Sequence, residues 1–166
     1  RGSLLFEATD RLSIDVRASV NQLRTQGLYY NIVNDVNTIA DVRVNNPGQN
    51  DRDIYNVAMK VEYKGDNAVL TAISSYDTLK EILTGDAFDF LPIEDSFFFN
   101  LFEGIFGPGN GFDLNQSQYL NVKAFSQEAR LASPNDGRKF NWLVGGYLVD
   151  TTRFISTGNM IDTGNG

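Results

Sequence analysis

Apolar and polar residues alternate strictly in two parts of the sequence. From Leu12 to Asn21, Leu, Ile, Val, Ala and Val hold one parity, while Ser, Asp, Arg, Ser and Asn hold the other. A period of two over this length predicts a β-strand with one apolar face and one polar face. The segment 55–64 repeats the pattern with tyrosines at the ends of its apolar row, and 125–131 is a weaker copy.

Each alternating segment has a less regular neighbour across a short turn. The turns at 9–11, 65–67 and 133–138 are rich in Gly, Asp, Asn or Pro, which tolerate turn dihedral angles. Three hairpins are therefore predicted, and the alternation leaves the faces of the strands at 69–78 and 140–154 unassigned. The six strands are expected near residues 3–9, 11–22, 53–64, 67–79, 119–132 and 139–155.

The connections between the hairpins are unusually long, covering about 22–52 and 79–118. In an antiparallel meander, all the short turns then lie at one end of the sheet and both long loops at the other. The predicted fold class is all-β, an antiparallel meander of about six strands. This layout is typical of a partial transmembrane β-barrel with short periplasmic turns and two long extracellular loops. A soluble β-sandwich or meander with one wet face alternates in the same way and remains open.

Six strands are too few for a closed bacterial barrel, which starts at eight. Unpaired strand edges are not tolerated in lipid, because no water is present to satisfy their backbone groups. The barrel interpretation therefore predicts that 1–166 is one part of a longer barrel domain. Its polar parity would line a hydrated lumen, and the charged residues predicted to face that lumen are Asp15, Arg17, Lys60, Glu62, Glu128 and Arg130.

Composition narrows the function classes. The chain has 14 Lys and Arg against 21 Asp and Glu, a net charge of −7, which argues against a nucleic-acid partner. It contains neither His nor Cys, which removes disulfides, imidazole or thiolate metal sites, and Ser-His-Asp or Cys-His catalysis. The acidic stretches do not follow the spacing of a calcium-binding loop. No catalytic residue, metal or cofactor is predicted.

The connection 79–118 is acidic and rich in phenylalanine, with no positive charge between Lys80 and Lys123. Residues 95–105 could form a short amphipathic helix with Phe98, Leu101, Phe102 and Ile105 on one face. One hypothesis is that the aromatic residues contact an organic ligand; the alternative is that they only pack the loop onto its neighbours. The predicted ligand-contact residues are Phe97, Phe98, Phe99, Phe102 and Phe106.

Several segments resemble one family. The run Phe125–Pro134 resembles the F-S-Q-E-x-R-L-x-S-P strand signature of TonB-dependent outer-membrane receptors, and Phe140–Tyr147 is similar to their following W-x-x-G-x-Y strand. The run Leu70–Tyr76 resembles their L-T-S-I-T-x-Y strand. The opening Arg1–Ser13 resembles their R-G-x-L-x-x-x-P-x-D-x-L hairpin, with Ala8 where Pro is usual.

The resemblance implies a segment of a 22-stranded barrel that is closed by a plug domain. It also implies a bacterial outer-membrane location and import of a bulky nutrient such as a ferric siderophore, driven through TonB. The implied partners are TonB, the plug domain, outer-membrane lipid and the nutrient, and no enzymatic activity is implied. The competing function, from the residues alone, is a soluble extracellular β-sheet module that recognises its partner through long loops.

Overall fold

The chain folds into one six-stranded antiparallel sheet. The structure is a computed structural model, and it describes residues 1–27, 35, 37–39, 44, 46–86, 92–135, 137 and 139–162. The strands are β1 (Gly2–Thr9), β2 (Leu12–Thr25), β3 (Gln49–Lys64), β4 (Val69–Asp86), β5 (Asp113–Ala132) and β6 (Leu143–Asp162). Their order in the sheet is the order in the sequence, and the sheet does not close into a barrel. The predicted all-β meander is confirmed.

Four strands run further toward the long connections than predicted. β2 continues to Thr25, β3 begins at Gln49, β4 continues to Asp86 and β5 begins at Asp113. Most residues of these extensions are polar and the few apolar ones do not alternate, so the pattern that identifies a strand stops before the strand does. Ladder hydrogen bonds join backbone groups and need no apolar side chain, so the pairing continues beyond the apolar rows.

The sixth strand is shifted along the chain, to begin at Leu143 and end at Asp162. The reason lies in the preceding turn, where the Ser133 N–H donates to the Trp142 carbonyl at 2.9 Å. The Trp142 N–H in turn donates to the Ser133 hydroxyl at 3.1 Å. This pairing closes the hairpin at 133 and 142, so the residues from 139 to 142 belong to the turn.

The first hairpin is closed by a threonine. The Thr9 hydroxyl accepts from the N–H groups of Arg11 and Leu12, at 3.2 and 3.0 Å. Beyond a register shift near Glu7, Phe6 lies opposite Ile14 and Leu4 opposite Val16. Opposite residues share a face of the sheet, so the apolar row of β2 continues onto β1.

The chain divides into two compact units. Unit 1 comprises 1–22, 53–80 and 121–154 and contains all three short turns. Unit 2 comprises 23–52, 81–120 and 155–166 and contains both long connections.

Burial differs between the units. No described residue of unit 1 is buried. In unit 2 the buried residues are polar except for Gly85, and among the described residues Asp86 and Ser96 are the largest side chains that are fully buried. The described part of the sheet thus has no hydrophobic core. A soluble sandwich, by contrast, buries the apolar faces of two sheets against each other.

Candidate functional site

The polar face of unit 1 is defined by hydrogen bonds between neighbouring strands. The Asn56 amide donates to the Asp77 carboxylate at 2.5 Å, which joins β3 to β4. The hydroxyls of Ser75 and Ser126 are 2.8 Å apart, which joins β4 to β5. Every second residue of a strand lies on the same face of the sheet. The two contacts therefore place the even positions of β3 and β5 and the odd positions of β4 on one side. The faces of β4 that the sequence left open are thereby assigned.

All six residues predicted to face a lumen lie on this side. In β2, Arg17 Nη2 is 2.6 Å from Asp15 Oδ2, and Asp15 also interacts electrostatically with Lys60 of β3. Lys60 Nζ is 2.8 Å from Glu62 Oε2. In β5 the Arg130 guanidinium pairs with the Glu128 carboxylate. Lumen exposure itself stays a prediction.

These ion pairs share one arrangement: each joins residues two apart on a single strand. Every pair has one positive and one negative member, so the three pairs together carry no net charge. Surface pairs of this kind contribute about 0–1 kcal/mol each. The three pairs therefore balance their own charges and add little stability to the sheet.

The opposite face of unit 1 is a broad apolar band. Many of its large side chains are exposed, while Leu12, Ile14, Val16 and Val61 are half-buried. The exposed ones on the strands β1 to β5 are Leu4, Phe6, Val20, Tyr55, Val57, Met59, Tyr63, Leu70, Tyr76, Phe125 and Leu131. Within this band, the Ser74 hydroxyl donates to the side-chain amide oxygen Oε1 of Gln127 at 2.5 Å. The pair satisfies two polar groups inside the band, which is what an apolar environment requires.

The acidic connection of unit 2 contains the predicted helix, with somewhat different bounds. A 3₁₀ turn at Ile93–Asp95 precedes helix α1 (Phe97–Phe106). The helix stops at Gly107, whose φ of 95° is in the left-handed region that favours glycine, and whose N–H donates to the Glu103 carbonyl. The Glu103 carboxylate also accepts from the Gly109 N–H at 2.9 Å, which fixes the chain after the helix.

Three of the predicted ligand-contact residues pack inside this connection. The Phe102 ring stacks on Phe112 with centroids 3.9 Å apart, and it lies 6.0 Å from the rings of Phe98 and Phe106. Phe99 lies so close to Gly111 that a Cβ added to the glycine would be 2.8 Å from its ring. Phe98, Phe99 and Phe102 are half-buried, as the packing alternative describes.

The other two predicted residues, Phe97 and Phe106, are 61% and 60% exposed. Leu101 and Ile105 are 41% and 61% exposed. The expected single face of Phe98, Leu101, Phe102 and Ile105 is therefore divided. Positions four apart stack on one side of a helix, so Phe97, Leu101 and Ile105 form a separate exposed row, here called the apolar ridge. Phe112 was missed as a packing partner because it lies outside the helical repeat.

The ends of the strands in unit 2 are joined by buried polar groups. The Arg52 guanidinium of β3 pairs with the buried carboxylate of Glu81 in β4, and Gln118 of β5 lies 3.5 Å from the same carboxylate. The Asn115 amide donates to Asp162 of β6 at 3.3 Å. These contacts were not predicted, because the alternating pattern stops before them.

The described residues contain no group of three or more His, Cys, Asp or Glu that could hold a metal ion. Within the same residues, none of the helices has the length and apolar character needed to cross a membrane.

The class that fold and side-chain placement define is an open, single-layer antiparallel sheet with one apolar face, one charged face and long connections at one set of strand ends. No protein-family model matches the chain, and neither a curated protein nor a solved structure matches it.

Proposed function

We propose that the chain forms six adjacent strands of a TonB-dependent outer-membrane receptor, which imports a bulky nutrient such as a ferric siderophore. In this proposal the apolar band faces lipid and the charged face lines the lumen toward the plug domain. The long connections of unit 2 meet the nutrient outside the cell, and TonB supplies the energy. The protein acts as a transporter and not as an enzyme.

The observation that carries the proposal is the absence of a hydrophobic core beneath the apolar band. Large exposed apolar patches on soluble monomers rarely exceed a few hundred Å². Here the band crosses five strands, and no described residue of unit 1 is buried. Lipid is the environment that makes such a surface favourable, and the charged opposite face then requires water.

The sheet edges support membership of a larger barrel. β1 and β6 are the outermost strands of the sheet, and each pairs on one side only within the described residues. Unpaired backbone groups cost several kcal/mol each in hydrocarbon, roughly 2–7 by transfer measurements. Further strands that pair with β1 and β6 would remove this cost. Among transmembrane barrels, the four sequence segments that resemble TonB-dependent receptors favour that family.

The membrane proposal is tested with single cysteines on the two faces of β3. Residues 1–166 contain no cysteine, so each substitution adds a single labelling site to this part of the receptor; any cysteine outside it is first replaced by serine. Met59 is 43% exposed, and the side chain of the adjacent Lys60 is 45% exposed. Because the exposures match, water reaches both sites equally in a soluble module.

The full-length receptor carrying Met59→Cys or Lys60→Cys is labelled with an environment-sensitive bimane and reconstituted with nitroxide-bearing lipids. We expect strong quenching of the label at 59 and weak quenching at 60. Equal quenching at both sites would favour the soluble binding module and contradict the membrane proposal. Heat-resistant migration on a gel is the control for a folded barrel.

Import is tested by deleting 97–106 in the same receptor. Strand pairing and not loop packing closes a barrel, so the deletion should leave heat-resistant migration unchanged. We expect weaker capture or slower TonB-dependent uptake of the nutrient. Uptake at the wild-type level would show that residues 97–106 only pack the connection and do not contribute to import. Loss of the folded barrel would show that they are needed for its structure.

A further inference from the structure

The net charge of the chain is concentrated in unit 2. Unit 1 holds eleven basic and ten acidic residues, a net charge of +1. Unit 2 holds three basic and eleven acidic residues, a net charge of −8. Glu81, Asp86, Asp113 and Asp162 of this unit are buried, whereas Glu94 and Asp95 are exposed. Exposed carboxylates attract cations over distances of about a Debye length and repel anions. Positively charged ligands are therefore attracted to unit 2 before they contact it, and negatively charged ligands are repelled.

The apolar ridge lies within this acidic unit. Glu94 and Asp95, both exposed, immediately precede α1, and the helix itself contains no Lys or Arg. The ridge combines 41% to 61% exposed apolar side chains with neighbouring negative charge. A binding partner that complements the ridge therefore carries apolar groups beside positively charged ones.

The shape of the ridge distinguishes a peptide from a small molecule. Small ligands bind in concave sites that cover most of their surface. The ridge is one convex face of a helix, and at 1.5 Å per residue it extends about 12 Å from Phe97 to Ile105. A partner must bring its own apolar surface of similar length, as an amphipathic helix does.

We propose that the apolar ridge binds a basic amphipathic peptide. Apolar side chains of the peptide cover Leu101 and Ile105, and its lysines or arginines lie beside Glu94 and Asp95. The site depends on the surface of unit 2 and goes beyond nutrient import. It rests on the proposed function only in that unit 2 is then accessible from outside the cell.

The test uses the full-length protein in detergent micelles, titrated with a fluorescent Leu/Lys peptide patterned as an amphipathic helix. Empty micelles are the blank. A Leu/Glu peptide and a Leu/Lys peptide of scrambled order are the controls. We expect binding of the patterned basic peptide only, and this binding should weaken as salt is raised because exposed charges are screened.

Two pairs of variants separate the apolar and electrostatic contributions. Leu101→Ser with Ile105→Ser should weaken binding roughly tenfold or more, since the covered apolar area is lost. Glu94→Gln with Asp95→Asn should weaken binding at low salt and flatten its salt dependence. The matched control, Glu7→Gln with Asp10→Asn, removes two exposed charges from unit 1 and should change nothing.

Equal binding of the acidic peptide, or unchanged binding by both ridge and charge variants, would overturn the proposal. A ridge variant that alters self-association but not peptide binding would assign the ridge to a second copy. Attachment of the ridge to anionic vesicles without peptide would assign it to lipid. Peptide binding by a protein without heat-resistant migration would uphold this site and refute the barrel, so the two proposals can fail separately.

Discussion

Arginine substitutions on the two faces of β5 test whether the apolar band contacts lipid. Ala129 is exposed and shares the apolar face with Phe125 and Gln127, whereas Ala124 shares the charged face with Ser126. Both lie in the same strand and have the same side chain. Ala129→Arg and Ala124→Arg therefore differ mainly in the face that receives the charge.

The expected cost follows from depth. Arginine on the lipid face of a barrel costs about 2–4 kcal/mol at the midplane and about 0–1 near the interfaces. Ala129 lies three residues before the end of β5 at Ala132, so about 1–3 kcal/mol is expected. At 1.4 kcal/mol per tenfold, the folded-to-unfolded ratio falls roughly 5- to 150-fold. Ala124→Arg should cost less than about 0.5 kcal/mol, as an ordinary surface change does.

The measurement is urea unfolding of the full-length receptor in lipid vesicles. Trp142, the one tryptophan of the chain, provides a fluorescence probe beside β5. A soluble sheet has water on both faces, so neither variant should then move the unfolding midpoint by a resolvable amount. Equal destabilisation by the two variants would refute the lipid-facing assignment of this band.

Three further substitutions test local packing. Gly145→Val should destabilise by about 1–3 kcal/mol, measured by urea unfolding, since an added Cβ would lie 2.8 Å from a β5 carbonyl oxygen. Arg52→Met should cost about 1–3 kcal/mol by the same assay, because the buried Glu81 carboxylate loses a half-exposed ion-pair partner; Arg52→Lys should recover part of the loss. Phe112→Ala should cost about 1–2 kcal/mol of local stability, because it removes the half-buried ring stacked on Phe102. Faster proteolysis of the 87–112 connection, with barrel migration unchanged, would confirm it.

The sequence predicts the sheet well where one face is apolar. Strict alternation located β2 and the second half of β3, and the turn residues located the hairpins. The strand ends in unit 2 were not predicted, because these segments have no apolar alternation. Polar contacts such as Arg52 with Glu81 join them instead. The faces of β4 required the Ser75–Ser126 contact, because Val69–Asp86 has no clean alternation.

The candidate ligand-contact residues illustrate a different limit. A run of phenylalanines indicates that a helix has apolar sides, but it does not say which side packs inward. Phe112, six residues after the helix ends, decides this by stacking on Phe102. The exposed row that includes Ile105 follows only when that contact is known.

The charge pairs within single strands have a consequence for assembly. Because β2 and β5 each carry a positive and a negative residue two positions apart, these two strands enter the sheet already neutralised on the charged face. A hairpin can then add to a growing sheet without leaving an uncompensated charge while the next strand is still absent. A slip of two residues between β2 and β3 that set Asp15 opposite Glu62 would also set Arg17 opposite Lys60, and both pairs would repel. The charge order on these strands therefore supports the alignment that the short turns and contacts such as Asn56 with Asp77 define.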